Sequence, residues 1–271
     1  MMKDISIGRY VQGDSVIHKL DPRMKVLLFI IYMVTLFIAD EPTTMLAAVA
    51  VVIFLTLLSK IGPIEVVRSV RPILFIMIFI FIINVLTIRS GETLWSWGVI
   101  KVTYGGLERA VLMVLRLLLL IVATSILLTL TTTPLKLADA LESLGSPLKV
   151  IKVPVNEIAM TISIAIRFIP TLVEETDKIM KAQSSRGAEY DTGNVFQRAK
   201  GYVAVLVPLF VSSFKRAEEL AVAMDARCYQ GGVGKTKLHP LKLKASDFLW
   251  FFILTVVAFI PVAVDLLPKL I

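Results

Sequence analysis

The charges of this chain are confined to blocks, and between the blocks run uncharged apolar stretches of roughly 16 to 20 residues, about what a helix needs to cross the hydrocarbon core of a bilayer. A water-soluble fold of this size has no use for several such stretches. Composition agrees: 56% of the 271 residues are hydrophobic and 18% are charged, against about 45 to 50% and about 25% in soluble domains. The chain therefore reads as an all-α polytopic membrane protein, with about five transmembrane helices and long amphipathic helices outside the bilayer. Cys228 is the single cysteine, so no disulfide forms within the chain, and His18 and His239 alone cannot build a zinc site. The net charge of +8 suggests basic loops held on the cytoplasmic side before it suggests nucleic acid.

The first twenty residues carry Lys3, Asp4, Arg9, Asp14 and Lys19, so no signal peptide is evident and the first apolar run is expected to be retained. Asp21-Pro22 makes a helix start, with Asp21 as N-cap and Pro22 where its missing N–H costs nothing. That span is expected to reach Asp40. A second runs from Pro42 to Leu58 and stops at Lys60-Ile61-Gly62-Pro63; a third runs from Pro72 to Ile88. The stretch Arg89 to Gly106, with Trp95, Trp97 and Tyr104 among Gly and Thr, reads as an interfacial loop. A fourth span covers Leu107 to Leu130, and a fifth runs from Phe248 to Leu267, kinked at Pro261. Of the Lys and Arg residues, about 24 fall before the first span, between spans two and three, or between spans four and five, and about 4 fall on the other side. The N-terminus and the long loop are thus expected in the cytoplasm and the C-terminus outside, and the basic excess needs no nucleic-acid partner. Three regions follow: 1–130 with four spans, a cytoplasmic region 131–246, and the last span within 247–271.

The cytoplasmic region is patterned for helices. Thr133-Pro134 opens a short one ending near Gly145. Pro154 starts a long one in which Ile158, Ile162, Ala165, Ile169, Leu172, Thr176 and Ile179 recur at three- and four-residue spacing, with Glu174, Glu175, Asp177 and Lys178 largely off that stripe. Another, from about Val195 to near Tyr229, carries Val203, Leu206, Phe210, Phe214, Ala217, Ala221 and Met224 in the same way, with Lys215, Arg216, Glu218 and Glu219 on its charged arc. Each has roughly 30 residues and a length of about 45 Å.

The two long helices end alike. Ala182-Gln183-Ser184-Ser185-Arg186-Gly187 and Ala223-Met224-Asp225-Ala226-Arg227-Cys228 share the register Ala, x, x, small, Arg, small, and glycines follow both. An Arg among small residues projects its five-donor fork clear of neighbours, where it can pair bidentately with carboxylates of another protein. The plainer reading is that each Arg complements the helix dipole, worth about 0.3 to 1 kcal/mol. The repetition favours the first.

These residues, together with Leu20-Asp21-Pro22-Arg23-Met24-Lys25 after His18 and Ala165-Ile166-Arg167-Phe168-Ile169-Pro170 in the first long helix, resemble the transmembrane coupling component of energy-coupling factor transporters. That family serves vitamin and transition-metal uptake in prokaryotic plasma membranes and is related to ATP-binding cassette importers. The resemblance implies a non-catalytic subunit that links two ATPase subunits, identical or not, to a small substrate-binding membrane subunit. ATP and magnesium would then bind the partners, and this chain would hold no cofactor and no metal. It places ATPase docking on Ser185, Arg186 and Gly187 and on Ala226, Arg227 and Cys228, where the chain departs from the family in Ser185 for Ala and Cys228 for Gly. Asp21, Pro22, Arg23, Arg167 and Pro170 fall on the family's structural motifs. The substrate subunit is expected to pack on the apolar stripes at Ile162, Ile169, Leu172, Leu206, Phe210 and Phe214. Core packing is the alternative for these six and for Met160, Met180 and Met224, whose flexible side chains suit a surface that accepts different partners.

Other constellations carry less. Gly231-Gly232-Val233-Gly234-Lys235-Thr236 imitates a phosphate-binding loop, but Tyr229 stands where the motif needs glycine and Leu238-His239-Pro240 follows where a helix should open. Arg116 and Asn84 lie inside spans; for Arg116 a structural hydrogen bond or snorkelling is favoured over transport. Arg167 is expected to brace the crossing helices, and Asp21 to cap rather than to share a metal with His18. A polytopic enzyme acting on lipid or isoprenoid substrates would need clustered carboxylates for metal and diphosphate, and the nearest, Glu174-Glu175-Asp177 and Glu218-Glu219, sit beside lysines on helix faces. A conventional importer permease with its own substrate path is the third alternative.

Overall fold

A computed structural model describes residues 10–97, 100–188, 194–229, 231 and 241–270. The elements are α1 (Val16–Lys19), α2 (Pro22–Ile38), α3 (Pro42–Ser59), α4 (Pro63–Val70), α5 (Leu74–Thr87), β1 (Thr93–Trp97), β2 (Ile100–Thr103), α6 (Tyr104–Thr124), α7 (Pro134–Leu144), α8 (Val155–Ser185), α9 (Val195–Ala226) and α10 (Ala245–Leu270). Two compact units contain the described residues, one made of those up to Ala140 and from Leu241 on, the other of those that lie between.

In the first unit α2, α3, α6 and α10 form a bundle. Pro22 sits at the head of α2 and the Asp21 carboxylate accepts from the Arg23 backbone N–H at 2.9 Å, so local chemistry sets where the helix begins. Its apolar residues then meet those of its neighbours: Leu28, Tyr32 and Leu36 from α2, Met45, Ala48 and Leu55 from α3, Leu119 and Ala123 from α6, Leu254 and Ala258 from α10, all buried in one cluster. The alanines let helix backbones approach closely, which is how apolar helices associate where burial from water gives no driving force. Helix α5 packs on α6, yet Met77 is its one buried residue and Phe75 and Phe79 stay exposed. Apart from Asn84 and Thr87 its surface is apolar all round, as a lipid-facing helix should be.

Five helical stretches among the described residues are long and apolar enough to cross a membrane: Pro42–Ser59, Pro63–Thr87, Tyr104–Thr129, Val155–Ser185 and Ala245–Asp265. The number matches expectation and the membership differs. The expected first span is α2, which at 17 residues is shorter than these. The third begins earlier, because α4, a 3₁₀ turn at Arg71–Ile73 and α5 make one continuous helical run; Pro72 sits in that turn rather than at a helix start. Helix α8 joins the set because its charges gather in its second half.

The expected loop at Arg89–Gly106 holds an antiparallel hairpin instead. Thr93 pairs with Thr103, Trp95 with Val102 and Trp97 with Ile100, and Tyr104 already belongs to α6. Thr103 ties the hairpin to the helix pair: its hydroxyl donates to the Ile88 carbonyl at 3.1 Å and accepts from the Gly106 N–H at 3.2 Å. A β-carbon on Gly106 would lie 2.5 Å from that Ile88 oxygen, so glycine is what permits α5 and α6 to meet. Trp95 and Tyr104 remain exposed, in keeping with an interfacial position. After Thr124 the helix relaxes into a π turn, Ser125–Thr129, closed by Leu130 N–H on the Ser125 carbonyl at 2.7 Å.

In the second unit α8, of 31 residues, and α9, of 32, pack on each other. Pro170 and Pro208 lie inside them without ending either helix.

Candidate functional site: two matched helix ends

The C-termini of α8 and α9 close in the same way. At the end of α8 the Gly187 N–H donates to the Ser184 carbonyl and the Ala188 N–H to the Gln183 carbonyl, both at 3.0 Å. At the end of α9 the Cys228 N–H donates to the Asp225 carbonyl at 2.9 Å and the Tyr229 N–H to the Met224 carbonyl at 3.1 Å. These are the paired bonds of a Schellman cap, with Arg186 and Arg227 at the equivalent cap position. The following residue takes the left-handed conformation in each, Gly187 at φ +85° and Cys228 at φ +55°. The chain thus turns off both helices directly after its Arg.

All six residues expected at the docking motifs, Ser185, Arg186, Gly187, Ala226, Arg227 and Cys228, are exposed. The shared register in the sequence is therefore a shared backbone geometry that presents two guanidinium groups to solvent. Glycine suits the left-handed position and cysteine does not, so the departure at Cys228 is conformational as well as chemical.

The crossing of α8 and α9 is braced by Glu175. One of its carboxylate oxygens accepts from the Ser212 hydroxyl at 2.5 Å and the other pairs with the Arg216 guanidinium. Sequence reasoning had placed Glu175 and Arg216 on solvated arcs and assigned the bracing to Arg167, which is exposed. The opposite charges at matching positions, about two-thirds of the way along each helix, were the available signal. Along the stripes, Ile162, Ile169, Leu206, Phe210 and Phe214 are exposed and Leu172 is half-buried, so five of the six side chains expected to meet a substrate subunit are uncovered rather than core. Pro170 is exposed beside them.

The motif at the head of α2 is structural. Asp21 is buried and caps the helix, and Arg23 donates to the Leu241 carbonyl at 3.2 Å, tying α2 to the approach to α10. Lys25, missed as a functional candidate, is buried: its ammonium donates to the Thr131 carbonyl at 2.9 Å and to the Thr132 hydroxyl at 3.0 Å. It thereby pins the residues that follow the π turn. His18 bridges Ser15 and Val11. The Nδ1 accepts from the Ser15 hydroxyl at 2.6 Å and the Nε2–H donates to the Val11 carbonyl at 3.0 Å, which occupies both nitrogens of a neutral ring. Burial pushes the imidazole below its ordinary value of 6.5, Lys25 adds to that, and the Val11 carbonyl and Asp14 oppose it.

The polar groups inside spans are held locally. Arg116 donates to the Ala39 carbonyl at 2.5 Å and pairs with Asp40 at 2.8 Å, closing the end of α2, as a structural role requires. The Asn84 amide donates to the Ile80 carbonyl at 2.8 Å within its own helix. Among the described residues no group of three or more His, Cys, Asp or Glu side chains stands ready to hold a metal ion. The sequence that imitates a phosphate loop lies outside the described residues apart from Gly231.

Comparison with known proteins extends the same pattern. Residues 13–240 match the family described as cobalt transport protein, CbiQ. The energy-coupling factor transporter transmembrane protein EcfT of Ruminiclostridium cellulolyticum is 50% identical over 252 residues, covering 92% of each chain. The protein of the same name from Thermosediminibacter oceani is 46% identical over 250 residues, 92% of this chain and 94% of its own. That from Bacillus subtilis is 44% identical over 247 residues, 91% of this chain and 93% of its own.

Proposed function

The chain belongs to the CbiQ family of transport proteins, and on that premise we propose that it is the transmembrane coupling subunit of an energy-coupling factor importer. It is a multi-pass membrane protein and a transporter component. In this reading it joins two ATP-binding cassette subunits to a small substrate-binding membrane subunit and carries out no chemistry itself. ATP and magnesium sit in the partners, and vitamins or related micronutrients are the cargo selected by the substrate subunit. The N-terminus and the paired helices face the cytoplasm of a prokaryotic cell and the C-terminus faces outward.

The observation that carries this reading is the matched pair of helix ends. Each presents one Arg at a rigid cap, with small residues on either side that leave a groove free to close around it. The cap already fixes the backbone at each Arg, so docking has only the side chain left to order. ATP binding draws the two ATPase subunits together and displaces the docked ends. The Glu175 brace makes α8 and α9 shift as a coupled pair, and their apolar stripes pass the displacement to the substrate subunit. Family membership favours this over a lipid-modifying enzyme or a permease with its own substrate path.

The test is co-purification. Arg186→Glu combined with Arg227→Glu should abolish recovery of the ATPase subunits with the tagged chain while membrane insertion stays normal, because charge is reversed at both contacts. Undiminished recovery overturns the docking assignment.

A further inference from the structure

We propose that the segment joining α7 to α8, residues 146–152, is a membrane-surface anchor that takes anionic lipid headgroups. The segment is a 3₁₀ turn, Ser146–Ile151, stopped by Lys152 in the left-handed region at φ +62°. All seven residues are exposed. Leu148 is 47%, Ile151 73% and Val150 88% open to solvent, a concentration of apolar surface that water disfavours. Lys149 and Lys152 flank these side chains, and no acidic residue occurs between Glu142 and Glu157.

Apolar residues interleaved with lysines fit a lipid surface. The apolar groups enter the acyl boundary, while the lysine stems lie along them and raise their ammonium groups to headgroup level. Glu157 shares a concavity with the two lysines, which outnumber it, and a rim of net positive charge selects anionic lipids, in which the cytoplasmic leaflet is rich. Chain connectivity keeps the segment within reach. Four residues separate the π turn of α6 from α7, whose 11 residues span about 16 Å. The N-terminal half of α8, which follows, is apolar enough to enter a bilayer. The anchor would thus fix the start of α8 at the membrane surface while its far end moves with the ATPases.

The experiment uses the full chain in nanodiscs, with Cys228→Ser to clear the native thiol and Val150→Cys carrying an environment-sensitive fluorophore. Discs of phosphatidylcholine alone are compared with discs containing phosphatidylglycerol, each with a quencher attached at shallow depth to a lipid chain. The expected result is a blue shift and strong quenching in the anionic discs. Both should fall severalfold with Lys149→Gln and Lys152→Gln or with added salt, and return with Lys149→Arg and Lys152→Arg. Equal signals in the two lipids overturn the proposal, as does quenching that survives neutralisation. Shielding that scales with the number of chains per disc, or that needs the ATPase subunits, also overturns it, by assigning the patch to a second copy or to a protein partner. Nanodiscs expose both leaflets alike, so the outcome is independent of the orientation proposed above.

Discussion

Cys228 occupies a backbone conformation that costs an ordinary side chain about 1 to 2 kcal/mol, whereas Gly187 occupies the same position at the other helix end without that cost. The two ends therefore make a matched pair of tests. Cys228→Gly should slow amide exchange in the last turn of α9 by about fivefold, and Gly187→Ala should speed it in the last turn of α8 by a similar factor, as about 1 kcal/mol implies. Exchange rates unchanged by both would show that the caps do not limit fraying. His18 gives a residue-scale prediction of opposite character. Its native ring resists protonation, so the unfolded chain binds the extra proton and stability must fall as pH drops below 6.5. Melting in detergent should show the native protein losing more stability between neutral and mildly acid pH than His18→Gln does. The capping of α2 by Asp21 was legible in the sequence because capping chemistry lies within a few neighbouring residues. The partners of Lys25 were not, since Thr131 and Thr132 are brought to it only by the packing of α2 against the end of α6.

The long helices were readable as elements because their apolar stripes repeat with helical spacing over many turns; what crosses between them was not. Glu175 and Arg216 look like members of solvated faces in one dimension, and only the crossing of α8 and α9 makes them a pair. A double-mutant cycle with Glu175→Gln and Arg216→Met should give a coupling of about 1 kcal/mol, the upper end for a partly exposed pair, and Ser212→Ala should lower it. Additive effects would mean the helices are held by their apolar contacts alone. The hairpin at β1 and β2 escaped notice for a different reason. Short strands of Trp, Thr, Val and Ile flanked by glycine suit both a ladder and an interfacial loop, and hydrogen bonding to the ends of α5 and α6 decides between them. Gly62-Pro63 and Pro72 look like breaks on either side of Pro63–Val70, yet Pro63 heads α4, where no N–H is required, and Pro72 is absorbed in the 3₁₀ turn that joins α4 to α5.

For the molecule as a whole, fold class and family membership were legible because charge blocks, span lengths and the twin Arg motifs are written along the whole chain. Sidedness rests on the distribution of Lys and Arg, and the exposed single cysteine makes it measurable without engineering. With the chain expressed without ATPase subunits, a membrane-impermeant maleimide should label Cys228 in inverted vesicles and leave it unmodified in right-side-out ones; labelling in the reverse pattern would turn the proposed topology over. The matched helix ends carry a last consequence, one of symmetry. Two ATPase subunits that close on each other are related by a rotation, but a single membrane chain has no such axis. By repeating one cap at the ends of two successive helices, this chain acquires a local likeness to a two-fold object. On the docking proposed above, one copy would therefore engage one pair of ATPase subunits, identical or merely similar, with one subunit at each matched end.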